Sequence, residues 1–242
     1  MKNPLIITAL ILTVLGASSC DFDDDGPFRK CERGDGPKVE KVIDLPEFTG
    51  VRLNVDAKVH IRQDNYFEVV AKGEENIIDL LERKVRNNTW DIEFDRCARD
   101  YDLDIFITMP DIQLLSVSGS GEIIGDTFIE GDNIVLRLSG SGRLCLGLYA
   151  EKIDGRISGS GNMELEGECE KLDFSISGSG DLHAFGLAAQ KANINISGSG
   201  NASVRVLEVL DVRISGSGKV YYKGNPIINA NISGSGKVVN AN

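Results

Sequence analysis

Histidine, tryptophan and paired cysteines are scarce in this 242-residue chain, which holds two histidines, one tryptophan and five cysteines. His60 alternates with Val59 and Ile61, and His183 follows Leu182, so both fall on the polar side of strand-like stretches. No serine or cysteine sits in a nucleophile elbow, which leaves a hydrolase triad without its parts. No Cys-x-x-Cys occurs, which removes the usual zinc and redox motifs. Aromatic residues make up only 6% of the chain, too few for a large aromatic-lined pocket. The formal net charge of −11 argues against nucleic acid or an anionic lipid surface as partner. No cofactor and no metal is expected. Long apolar runs are missing too: Leu5–Leu15 falls well short of the roughly 20 residues that span a bilayer.

That apolar stretch, preceded by Lys2 and followed by Gly16-Ala17-Ser18-Ser19-Cys20, has the layout of an export signal. Small residues running into a cysteine resemble a bacterial lipobox, although Ala17 stands where leucine is commoner; an ordinary signal peptide cleaved near Ala17 is the alternative. On the lipobox reading, residues 1–19 are the signal peptide and Cys20 is acylated, anchoring the protein to a membrane without a spanning helix. Asp21-Phe22-Asp23-Asp24-Asp25 then begins an acidic tether over 20–37. Acids directly after a lipidated cysteine also resemble the surface-export signal of Bacteroidota lipoproteins. The expected place is therefore the cell envelope, at the outer membrane, on its surface or its periplasmic face.

What the chain has in abundance is glycine, 27 copies, mostly in one motif. Ser-Gly-Ser-Gly begins at Ser118, Ser139, Ser158, Ser177, Ser197, Ser215 and Ser233, in steps of 21, 19, 19, 20, 18 and 18 residues. Such a period marks a solenoid, in which each unit needs neighbours to bury its apolar side. Around each copy apolar and polar residues alternate with the strand period of two, as in Ile194, Ile196, Gly198, Gly200, Ala202, Val204 and Val206. Each repeat reads as two short strands joined at a bend whose glycines face inward, with the serines stacking outward and bonding one another. The fold class is all-β: a parallel β-helix-like solenoid of about seven coils over residues 111–242. None of the seven copies continues into a phosphate loop, and no repeated acid follows them as calcium coils require.

One set of outward residues stands out. Four places before successive motifs sit Asp154, Asp173, Asn193, Asp211 and Asn229, and two places before them Arg156, Ser175, Asn195, Arg213 and Asn231. Stacked, they make two polar columns beside the serines. They read either as ordinary outward polarity with Asn ladders, or as a flat surface for a glycan or protein ligand formed by Asp154, Arg156, Asp173, Asn193, Asn195, Asp211 and Arg213. A carbohydrate-active enzyme using Asp154 and Asp173 on adjacent coils, and a purely structural spacer, are the alternatives. No catalytic residue is expected.

Residues 38–110 differ. Val51, Leu53, Val55, Ala57, Val59 and Ile61 alternate along one strand, and Asn76 can cap a short helix carrying Ile77, Leu80 and Leu81. This region is expected to be a β-rich N-terminal cap, as degenerate coils or as a separate small sheet. The segments LPEFTGVRLNVDAKVHIRQ, NTWDIEF and ITMPDIQLLSVSGSGEI, followed by serial SGSG coils, resemble the head GIN domain family over roughly residues 40–240. That is a domain of unknown function labelled a putative autotransporter adhesin. The resemblance implies a right-handed parallel β-helix and supplies no catalytic or binding residues. Cys31 and Cys97 flank the cap and could form a disulfide in an exported protein; Cys145 and Cys169 sit at different offsets in their repeats. The final coil, with Ile228 and Ile232 pointing inward, leaves a strand edge that invites an end-to-end homodimer.

Overall fold

A computed structural model describes residues 31–242, and the expectations for 1–19, Cys20 and the acidic run 21–25 lie outside the described residues. Those residues are nearly all strand, with one short helix at Glu75–Ile78. No described helix is long and apolar enough to cross a membrane. Seventeen strands join in a single sheet wound as a solenoid, and Glu32–Arg33 pairs with Ala98–Arg99 in a separate two-stranded ribbon.

The period-two pattern explains the winding. Val117, Leu138, Ile157, Ile176, Ile196, Ile214 and Ile232 stack in parallel register just before each corner. A second inward column runs Leu115, Leu136, Gly155, Phe174, Ile194, Val212 and Ala230. Nearly all these side chains are buried, and the exposure rises only in the last coil, at Ala230 and Ile232. Gly155 is where bulk is traded between coils, since a Cβ there would lie 2.2 Å from the Phe174 ring.

The two glycines of each motif have different reasons to be there. The second is buried in every motif but the last, and at Gly200 a Cβ would stand 2.2 Å from the Gly180 carbonyl oxygen and 2.8 Å from Ile176 Cγ2. The first, expected to face inward, instead forms the corner itself. All seven first glycines have positive φ, from 111° at Gly234 to 132° at Gly198, which L side chains rarely adopt. Their carbonyls stitch the coils together: Gly178 accepts hydrogen bonds from Ser199 N–H at 2.9 Å and Gly200 N–H at 3.1 Å. Among the described residues no side-chain hydrogen bond joins one motif serine to another, so the corner is held by backbone and not by a hydroxyl ladder.

The cap region is built of both expected elements. Gly50–Leu53 and Lys58–Gln63 pair in parallel with Leu114–Gly119 and Glu122–Gly125, with Asn54-Val55-Asp56-Ala57 taking the corner where the motif would be. Thr89–Ile92 and Leu103–Met109 stack on the far side of that layer. These are coils without the motif, and they stack out of chain order. Glu68–Glu74 and Lys38–Val42 then pair antiparallel, extending the sheet away from the stack.

Asn76 does not cap the helix, whose N-cap is Glu74 without a side-chain bond. Its side chain is spent elsewhere. The Nδ2 donates to the Arg33 carbonyl at 2.6 Å and Glu32 Oε1 at 3.1 Å, while Oδ1 accepts from Asp35 N–H at 3.1 Å. Cys31 and Cys97 are joined in a disulfide, with Cα atoms 4.6 Å apart. Residues 31–37, expected as part of the tether, are thus fastened to the body at three points: the disulfide, the ribbon and Asn76.

Candidate functional site

The broad polar face of the solenoid comes from the strands that precede each corner. Asp154, Asp173, Asn193, Asp211 and Asn229 stand in one column, in unbroken register from coil to coil. Arg137, Arg156, Ser175, Asn195, Arg213 and Asn231 form the adjoining column, and the motif serines the next. All the residues singled out from the sequence as a surface are therefore neighbours on one face. They share it because alternate residues of a strand point the same way.

The carboxylates on this face are already engaged. Asp154 Oδ1 accepts from Arg137 Nη1 at 3.0 Å, and that guanidinium also donates to the Asp154 and Leu136 carbonyls. Asp173 Oδ2 lies 2.8 Å from Lys171 Nζ and 3.5 Å from Lys152 Nζ. Burial pushes the Asp173 carboxyl up, but the hydrogen bonds and charges of Lys171 and Lys152 outweigh it and hold it below the usual carboxylate range. A proton donor needs the opposite shift, so Asp173 is not poised as the acid of a glycosidase. Asp211 accepts from Asn229 Nδ2 at 2.8 Å. Arg156 and Arg213, both exposed, have no ion pair or side-chain hydrogen bond among the described residues.

A second face, after each corner, escaped the sequence reading. Cys145, Glu164, His183, Ser203 and Tyr221 stack in one outward column. With Phe185 and Gly147, most of this column lines a shallow hollow of about 550 Å³. Beside it the Phe128 and Tyr149 rings stack at 4.8 Å, and Lys223 Nζ lies 4.7 Å over Phe185. The low aromatic content concealed this patch because its members are far apart in sequence and meet only through stacking. Burial and the Glu164 charge push the Cys145 thiol up to about 11, and burial pushes Cys169 up to about 12. Neither is a thiolate at neutral pH, so neither is an activated nucleophile. His60, on the cap, stacks on Phe106 at 4.8 Å and lies 3.1 Å from Asp126 Oδ1.

Fold and surface define a parallel β-solenoid with uninterrupted polar columns on one side. The chain belongs to the family described as putative auto-transporter adhesin, head GIN domain, which matches residues 47–226. Solved structures share the fold. A putative adhesin from Bacteroides fragilis superposes with a TM-score of 0.81 at 22% identity, covering 86% of this chain and 99% of its own. A putative lipid binding protein from Parabacteroides distasonis gives 0.76 at 24% identity, covering 88% and 100%. A putative adhesin from the same species gives 0.73 at 24%, covering 87% and 99%. No curated protein matches in sequence.

Proposed function

We propose that this protein is a non-enzymatic binding module of the cell envelope, held to a membrane by acyl chains on Cys20. Its contact surface for a glycan or protein partner is the face bearing Asp154, Arg156, Asp173, Asn193, Asn195, Asp211 and Arg213. The family's description as adhesins supports a surface role of this kind. The observation that carries the reading is what the ladder amides are not doing. If these columns existed to knit the coils, their side chains would bond from one coil to the next. Asn193 and Asn195 bond only each other, within one strand, at 3.5 Å. Arg137 to Asp154 and Asn229 to Asp211 are the side-chain bonds between coils in these columns among the described residues, and only the second uses an amide. The remaining amide donors and acceptors, on half-buried Asn193 and Asn195 and exposed Asn231, form a short array without other protein partners among the described residues. A spacer would need no such array.

The test is a glycan array probed with the full chain in neutral detergent. Retention of one or more glycans, weakened tenfold or more by Asn193→Ala with Asn195→Ala, is the expected result. Binding that ignores this pair would move the surface elsewhere, with the Cys145–Phe185 hollow the next place to examine. No retention of any glycan, or of any candidate protein partner, would leave a spacer.

A further inference from the structure

The polar face holds a site more specific than its flatness suggests. A groove of about 480 Å³ runs across the coils beside the serine column, from Arg156 past Ser175, Asn195 and Ser197 to Arg213 and on to Asn231 in the last coil. Its lining includes no Asp and no Glu. Register places the two arginines three coils apart, hence about 14 Å between their strands at the usual strand spacing. Of the neighbouring carboxylates, Asp154 is paired with Arg137 and Asp173 with the two lysines, while Asp211, bonded to the neutral amide of Asn229, keeps its charge but lies outside the groove lining. Arg156 also stacks directly on Arg137 of the preceding coil. Arg137 is itself paired with Asp154, so Arg156 is the guanidinium of the two left without a counter-charge.

We propose that this groove binds an anionic polysaccharide, a chain with charged groups well separated along a hydroxyl-rich backbone. The proposal rests on reading the polar face as a binding surface and deepens it. The guanidinium forks would take carboxylate or sulfate groups two-pronged. Serine hydroxyls and the Asn195 amide would pair with sugar hydroxyls between them. Charge spacing selects this partner over nucleic acid, which carries a phosphate about every 3.4 Å of strand and would meet only two free guanidiniums here. A net charge of −11 on the whole chain also repels a dense polyphosphate or an anionic bilayer. A sparsely charged glycan meets the cations while keeping most of its length neutral.

The experiment measures binding of the full chain in neutral-detergent micelles to immobilised hyaluronan, which carries one carboxylate per disaccharide, and to dextran. A thymidine oligonucleotide and phosphatidylglycerol doped into the micelles serve as competitors. Expected is retention on hyaluronan, weakening as salt rises, and absent on dextran. The double variant Arg156→Gln, Arg213→Gln should bind at least tenfold more weakly, each single variant less so. Lys219→Gln, on a different column, should bind as the parent does. Both arginines are exposed, so unchanged thermal unfolding of the variants checks the fold. Equal retention on dextran, no retention on hyaluronan, indifference to the arginine pair, or displacement by the oligonucleotide or the anionic lipid would each overturn the proposal. Neutral glycans lost on Asn193→Ala with Asn195→Ala but indifferent to the arginines would sink this proposal alone and leave the face as a binding surface.

Discussion

Replacing Gly198 by alanine tests the corner at its most constrained point. The residue has φ +132°, and a Cβ would sit 2.3 Å from the Gly178 oxygen and 3.1 Å from its C and N. Those are backbone atoms, so no side chain can swing aside. The conformation itself costs about 1–3 kcal/mol for an L residue. The carbonyl that must move is the acceptor for Ser199 N–H and Gly200 N–H. Losing both bonds adds about 0.5–1.5 kcal/mol each. The total is about 2–6 kcal/mol. Gly200→Ala meets the Gly180 oxygen and Ile176 Cγ2 with no positive φ, and overpacking alone costs about 1–3 kcal/mol. Ser199→Ala, exposed and without a side-chain partner among the described residues, should stay within about 0.5 kcal/mol. Urea unfolding reads the order, with Gly198→Ala moving the midpoint by about 1–2 M at typical slopes. A stacked repeat can unfold in pieces, so hydrogen exchange at the Ser199 and Gly200 amides supplies a local measure. If Gly198→Ala and Ser199→Ala prove equally mild, the account of the corner is wrong.

Other consequences are as direct. The Cys31–Cys97 bond closes a loop across a sequence separation of 66, worth at most about 4 kcal/mol in chain entropy. Reduction should speed exchange in residues 31–37 while the motif coils keep their protection, and loss across the coils would refute a local role. Cys20→Ser should abolish labelling by a palmitate analogue and free the chain from membranes; labelling that persists in the variant removes the anchor. The edge of Ile227–Gly234 pairs only with Asn201–Gly216 among the described residues, and Ile227 there is 70% exposed. Pairing of that edge with a second copy should appear as a dimer in sedimentation at micromolar concentration, and Ile228→Lys with Ile232→Lys should dissolve it. A parent chain that stays monomeric would refute the pairing.

The solenoid was legible because its cause is local and repeated. A period of two around a seven-fold motif leaves few ways to bury Ile157, Ile176 and Ile196, and stacking is the one that uses them all. The Asp and Arg columns followed from the same count. Three things were hidden by being non-local. Asn76 looks like a cap in sequence, but the segment it holds, Glu32–Asp35, lies more than 40 residues away. The coils of the cap lack the motif and stack out of order, which no period can reveal. Phe128, Tyr149 and Phe185 sit in three different repeats, and only the coil register brings them to one side.

The unequal repeat lengths explain why one face is regular and the other is not. Steps of 18 to 21 residues cannot all be absorbed evenly around a coil. The register shifts fall between Glu164 and Glu166, between Ala184 and Ala188, and between Ala189 and Lys191. All lie after a corner and before the next Asp/Asn position. From Lys191 through Gly198, by contrast, every residue pairs in step with its neighbours on both sides. Length variation is thus confined to the half of the coil that carries the aromatic hollow, and the half that carries Arg156, Asn195 and Arg213 is kept in step. A corner locked by a positive-φ glycine on every coil is what keeps it so, because the stitch from carbonyl to the next Ser and Gly amides allows no slip. The spacing of the two arginines is therefore set by the number of coils between them and is indifferent to how many residues each coil contains. A ligand that reads charge at a fixed interval needs that constancy, and only the corner side of this solenoid supplies it.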